Sequence, residues 1–147
     1  MSGIEWKREP RRVLLPCLIL APFPAIDLSG IEARALIDTG SSVSGIAKGI
    51  AEQLNLSRLG KRPLKSAQGD GQVERYAFRV GLQPTRDADR PNRFPFVFEE
   101  VIGIELTNAF EFNALIGMDI LGQCDLTMMR TGHCTLSFGR GMNEREL

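Results

Sequence analysis

Apolar positions in this chain come in short runs that alternate with polar residues or stay continuous over one strand's length. That is the pattern of β-strands more than of amphipathic helices. Residues 13–20, VLLPCLIL, read as a buried strand, with Pro16 marking an edge or an early bend. Residues 21–30, APFPAIDLSG, are turn material. In residues 31–37 the positions Ile31, Ala33, Ala35 and Ile37 alternate against Glu32 and Arg34 before the run becomes fully apolar. The two runs predict a hairpin whose second strand travels inward and ends at Asp38. Residues 43–46, VSGI, are short and strand-like. In 47–56 the spacing of Ala47, Ile50, Ala51 and Leu54 predicts one helical face.

A second hairpin is predicted over 62–82. Gly69-Asp70-Gly71 is its turn signal, and Val73, Tyr76, Phe78 and Val80 form an imperfectly alternating return strand. Residues 83–95 are polar and punctuated by proline, which reads as a surface insertion. FVFEEVIGIEL is strand material, FNALIGMDILGQCDL takes an apolar strand through Gly117 into a short helix, and 133–139 is a closing strand. The expected organisation is a mostly β single lobe with one or two short helices: an N-terminal arm over 1–12, one domain over 13–139, and a charged tail over 140–147.

Composition narrows the function classes. The chain has 147 residues, enough for one core but too few for two full lobes. Formal net charge is zero, and the only cationic cluster, KREPRR at 7–12, is interrupted by Glu9, so no nucleic-acid partner is expected. Cys17, Cys124 and Cys134 are odd in number and lack CxxC spacing, which suits free thiols in a reducing compartment, hence a cytoplasmic protein. A zinc site from Cys124, His133 and Cys134 would need adjacent ligands in an unusual spacing, so no metal and no cofactor are expected. The apolar run at 13–26 follows basic residues as a signal peptide would. It is too short and proline-rich to span a membrane, and glutamates in the leading arm weaken the secretory or periplasmic reading.

The chemistry gathers in ALIDTGSSVSGI, residues 35–46. A strand fixes the Asp38 carboxylate in low dielectric, and Gly40 lets the backbone turn sharply beneath it. Amide groups of such a turn can bond the carboxylate, and the Thr39 hydroxyl can brace a neighbouring loop. Two carboxylates held close share a proton, so one serves as base toward water while the other serves as acid. That is peptide hydrolysis by general acid–base chemistry, without a covalent intermediate.

LIDTGSS, a following helix ending AEQLNL, a glycine-rich hairpin and then ALIGMDIL together resemble the retropepsin-like aspartic proteases. The likeness is greatest to their cellular and bacterial single-domain members and to the protease domain of the DNA-damage-inducible ubiquitin shuttles, and it runs over about residues 13–139. It implies a closed β-barrel of the acid-protease type. It makes Asp38 the catalytic aspartate, Thr39 the threonine that locks two active-site loops across a dimer, and Gly40 the turn glycine whose carbonyl receives substrate backbone. Ser41 completes that loop. Leu115, Ile116 and Gly117 become the strand and glycine behind it. Ala67, Gln68, Gly69, Asp70 and Gly71 become the tip of a flap that closes over substrate.

The sequence also departs from the retroviral pattern. Ser42 and Met118 stand where retroviral members carry an acidic residue and an arginine that pair. Ser41 replaces an alanine, and its hydroxyl is expected to donate to the Asp38 carboxylate and favour an acidic working range. The chain has one D-T-G and no D-S-G, and Asp70, Asp87, Asp89, Asp119 and Asp125 read as turn, loop or cap residues. An active enzyme of this design is therefore a homodimer in which each copy supplies one Asp38. The resemblance implies interdigitated terminal strands, here 3–6 and 133–138, with Trp6 packed either on the partner or on its own core. The expected activity is aspartic endopeptidase cleavage of extended peptide or protein segments. The alternative is a weak or silent dimerisation or peptide-binding module. The intact D-T-G favours the enzyme, and a charge at Asp70 in the flap speaks against it.

Overall fold

The computed structural model describes residues 2–66, 69–87, 95–107 and 111–139. Eleven strands and two short helices follow in order: β1 (Ser2–Lys7), β2 (Leu14–Leu20), β3 (Ile31–Ile37), β4 (Gly45–Ala47), α1 (Lys48–Gln53), β5 (Arg58–Ser66), β6 (Gly69–Leu82), β7 (Arg86–Asp87), β8 (Phe96–Leu106), β9 (Ala114–Ile116), α2 (Met118–Leu121), β10 (Asp125–Met128) and β11 (His133–Phe138).

Six strands close a barrel in the order β2-β3-β9-β4-β8-β6, with β6 returning to pair with β2 and β5 flanking β6 outside the ring. Closure removes most free edges from the larger sheet. The predicted hairpin of β2 and β3 is present, running in register from Leu14↔Leu36 to Ile19↔Ile31. Pro16 lies beyond the stretch of β2 that pairs with β6, which is Leu18–Leu20, so its missing N–H is not needed there. The inward faces of the strands carry Leu15, Ile19, Ala35, Phe78, Val80, Leu82 and Ile116, all buried.

The helical pattern at 47–56 yields a short α1 that buries Ile50 and Ala51. It ends because Asn55 adopts a left-handed conformation (φ 55°). The Leu56 amide then donates to Ala51 O and the Asn55 amide to Glu52 O, a Schellman closure.

The hairpin of β5 and β6 pairs through Ser66↔Gly69, Lys65↔Asp70 and Leu64↔Gly71. Gly69, Asp70 and Gly71 are therefore strand positions and not the turn centre that their composition suggests, because the two sides of the hairpin fix the register. The expected tip residues Ala67 and Gln68 lie outside the described residues. Between Phe78 and Val80 the pairing of β6 with β8 slips by one residue, and Glu100 (φ 57°) sits on the β8 side of this bulge.

A second, four-stranded sheet runs β10-β11-β1-β7. β1 pairs with β11 along its whole length within one chain, from Ser2↔Phe138 to Lys7↔His133. The first residues, expected as part of an arm, thus supply a strand, and the strands expected to interdigitate between copies are paired with each other. Trp6 packs against its own core. The segment after α2 also differs from expectation: Asp125 opens β10, registered with Ser137 of β11, and is not a helix cap. In the polar 83–95 stretch, Arg86–Asp87 pairs with the start of β1, while residues 88–94 are outside the described set.

Candidate active site

β3 and β9 run parallel, matching Ala35↔Ala114, Leu36↔Leu115 and Ile37↔Ile116. This pairing brings the two apolar motifs of the sequence side by side. The Asp38 amide continues the ladder by donating to Ile116 O at 3.0 Å. Asp38 therefore leaves a buried strand at a fixed place and is itself half-buried, while Thr39 and Gly40 are exposed. The chain then turns: the Ser41 amide donates to Asp38 O at 3.2 Å, and the Gly40 amide donates to Asp38 Oδ1 at 2.9 Å.

The Ser41 hydroxyl corrects an expectation. It donates to Val43 O at 2.7 Å, tying the loop to itself, and so its proton is not directed at Asp38. The acidic working range inferred from a Ser41-to-Asp38 bond loses its basis.

Behind the turn, Gly117 is required by space. A Cβ there would lie 2.5 Å from Val43 O and 2.8 Å from Ser41 O, so only glycine lets the two loops approach this closely. The next residue closes the contact, with the Met118 amide donating to Ser41 O at 2.7 Å. Leu115 is half-buried, and Ile116 and Gly117 are buried. The structure thus gathers Asp38, Thr39, Gly40 and Ser41 with Leu115, Ile116 and Gly117 in one place.

Two site residues carry more than the sequence reading gave them. Ser44, fully buried, donates its hydroxyl to Asp119 Oδ1 at 2.7 Å and its amide to Asp119 Oδ2 at 3.0 Å. Its Oγ also accepts from the Gly117 amide at 3.0 Å. Asp119, expected as a first-turn charge, does sit in the first turn of α2, but its carboxylate serves to clamp the Asp38 loop. The signal was present in the spacing of Ser44 from D-T-G and Asp119 from Gly117, but only the β3–β9 pairing relates the two.

Other titratable groups lie apart from this chemistry. Burial pushes the Cys17 thiol up to about 12 and the Cys124 thiol up to about 11, which makes them poor nucleophiles at neutral pH. Among the described residues no three His, Cys, Asp or Glu side chains lie where they could hold one metal ion. His133, the only histidine, faces Glu5 across the β1–β11 pair at 3.5 Å. No helix among the described residues is long and apolar enough to cross a membrane.

The fold compares with solved structures. A retropepsin-like aspartic protease from Rickettsia conorii superposes with a TM-score of 0.61 at 14% identity, covering 93% of this chain and 91% of that one. The EIAV protease in complex with the inhibitor HBY-793 gives a TM-score of 0.46 at 15% identity, covering 77% and 88% of the two chains. No protein-family model and no curated protein matches the sequence. The chain has a retropepsin-like fold: mostly β, with a closed six-stranded barrel and two short helices.

Proposed function

We propose that the protein is an aspartic endopeptidase of retropepsin type, acting as a homodimer in which two Asp38 carboxylates share one site. The observation that carries this reading is the setting of Asp38: it ends a buried strand, accepts the Gly40 amide at 2.9 Å, and stands on a turn whose next residues are exposed. The neighbouring acid of this region, Asp119, is engaged by Ser44 and held away from chemistry. A single chain therefore presents half of an acid–base pair.

In the paired site the two Asp38 groups hold one proton between them, because like charges at close range do not both ionise readily. The ionised one takes a proton from water as the water attacks the scissile carbonyl, and the protonated one donates to the tetrahedral oxygen. Proton return to the leaving nitrogen completes cleavage. Thr39 braces the paired turns and Gly40 offers its carbonyl to the substrate backbone. The β5–β6 hairpin closes over an extended peptide held by backbone bonds.

The test is cleavage of a mixed peptide library across roughly pH 3 to 7 by the wild type beside Asp38→Asn. Cleavage by the wild type alone supports the enzyme. A dimer that binds peptides without cutting them would instead mark a binding module, and cleavage that survives Asp38→Asn would remove Asp38 from the mechanism.

A further inference from the structure

We propose that the tip of the β2–β3 connection, Pro22 to Ile26, docks on a lipid surface and seats Phe23 and Ile26 among the acyl chains without crossing the bilayer. The tip lies at the opposite end of β3 from Asp38, since that strand begins after the loop at Ile31 and ends at Ile37.

The apolar run VLLPCLILAPFPAI, which follows basic residues in the sequence, divides in the structure. Its first part forms β2 and buries Leu14, Leu15, Cys17, Ile19 and Leu20 in the core. Its last part, PFPAI, does not. Phe23 is 81% exposed and Ile26 89%, the highest values for large apolar side chains among the described residues. Pro24 and Ala25 between them are exposed, and Pro22 is half-buried. Residues 21–26 carry no charge. Single exposed apolar residues are ordinary, but two nearly bare ones three positions apart on one loop make a patch.

The loop is built from within. Arg79, 2% exposed, donates to Ala21 O at 2.7 Å, Ala25 O at 2.9 Å, Pro24 O at 3.2 Å and Asp27 O at 2.7 Å. The Asp27 amide closes the tip onto Pro24 O at 3.0 Å, and the Ser29 amide donates to Asp27 Oδ1 at 2.9 Å. A buried guanidinium therefore fixes the backbone beneath side chains that meet only water. An apolar tip held so firmly loses little freedom when a surface covers it.

Three features favour lipid over a protein groove as that surface. The patch is small: past Ile26 the exposed positions are Asp27, Ser29, Gly30 and Glu32, leaving five apolar residues, where a stable protein interface uses about 20–30 a side. A bilayer sets no such minimum, because binding grows with whatever apolar area enters it. The backbone also suits lipid. Four carbonyls are taken by Arg79, and Pro22 and Pro24 have no N–H, which lowers the cost of leaving water. The amides of Phe23, Ala25 and Ile26 have no partner among the described residues, and phosphate and ester oxygens of a phospholipid are acceptors. Charge is the third feature. The tip is neutral, and Asp27, the first charged residue after it, would be repelled by an anionic surface, so a zwitterionic one fits.

Flotation of the full chain with phosphatidylcholine vesicles tests this, using Phe23→Ser and Ile26→Ser, with Met129→Ser as a control at another exposed apolar residue. Circular dichroism checks each fold. The wild type should float with the vesicles, each tip variant should bind about tenfold more weakly, and Met129→Ser should match the wild type. Added phosphatidylglycerol or raised salt should not strengthen or abolish binding. Should a serine variant misfold, Phe23→Trp provides a second measurement: brominated acyl chains should quench its added emission, read against the wild type's Trp6. A wild type that stays off the vesicles, tip variants that bind as it does, or an unquenched tryptophan would overturn the inference. Binding that requires phosphatidylglycerol and vanishes in salt would also overturn it, since a charged patch would then hold the protein. Self-association in sedimentation velocity that Phe23→Ser removes, without vesicle binding, would assign the tip to a second copy and overturn the lipid contact.

Discussion

Ser44 and Asp119 clamp the two halves of the candidate site together: both carboxylate oxygens of Asp119 accept from Ser44, one from its hydroxyl at 2.7 Å and one from its amide at 3.0 Å. The same hydroxyl accepts from the Gly117 amide, so one buried side chain joins the strand after D-T-G to the loop behind it. Ser44→Ala leaves the Gly117 amide and one Asp119 oxygen without that partner, at an expected cost of about 2 kcal/mol. Asp119→Asn should cost less, and a double-mutant cycle should return a coupling of about 1 kcal/mol. Additive effects in urea unfolding would show that the two residues do not act as a unit.

Gly117→Ala tests the close approach of the loops. A methyl group would sit 2.5 Å from Val43 O, so backbone must move and stability should fall by about 1–3 kcal/mol. The larger effect is expected on cleavage, since displacing the Asp38 turn by about 1 Å is enough for a loss of roughly a hundredfold in rate. Wild-type kcat in this variant would mean that Gly117 does not position Asp38.

Arg79 is 2% exposed, and its guanidinium donates to the carbonyls of Ala21, Pro24, Ala25 and Asp27. It organises the long connection between β2 and β3 from inside. Arg79→Ala should destabilise by about 3 kcal/mol through several carbonyls left without a donor. Arg79→Lys should recover only part of this, because an ammonium cannot reproduce the planar fork. Equal stability of the lysine variant and the wild type in thermal unfolding would contradict this.

Tyr76 is buried and donates to Glu105 Oε1 at 2.7 Å. Burial, and then that hydrogen bond, push its phenol up to about 12. A phenol raised above its ordinary value of about 10 stabilises the folded state while protonated. That contribution is complete below about pH 10 and is lost as pH climbs toward about 12. Tyr76→Phe should lower stability near neutrality by about 1 kcal/mol and flatten the alkaline fall of Tm. An alkaline fall of unchanged steepness would remove Tyr76 as its source.

Much of this architecture is legible in the sequence, and the limits have physical causes. Strands with one buried face, such as Ile31–Ile37 and Tyr76 to Leu82, announce themselves because alternation records which side meets the core. The D-T-G turn and the Leu115-Ile116-Gly117 strand are readable as local motifs, and the β3–β9 register sets them side by side. What local pattern could not fix was long-range pairing. Gly69-Asp70-Gly71 has the composition of a turn, but register with Leu64–Ser66 makes it strand. β10 is mostly exposed and so leaves a faint apolar pattern, visible only once β11 pairs with it. The Ser41 hydroxyl was expected to meet Asp38, and the folded loop gives it Val43 O instead.

The proposed chemistry requires one site built from two chains. The direct measurement is the cleavage rate at fixed total protein as wild type is progressively replaced by Asp38→Asn under conditions of free subunit exchange. If two Asp38 groups are needed, the rate follows the square of the wild-type fraction, falling to about one quarter in an equal mixture. A rate that falls linearly, to about one half, would mean that each chain carries a complete site and would contradict the shared pair.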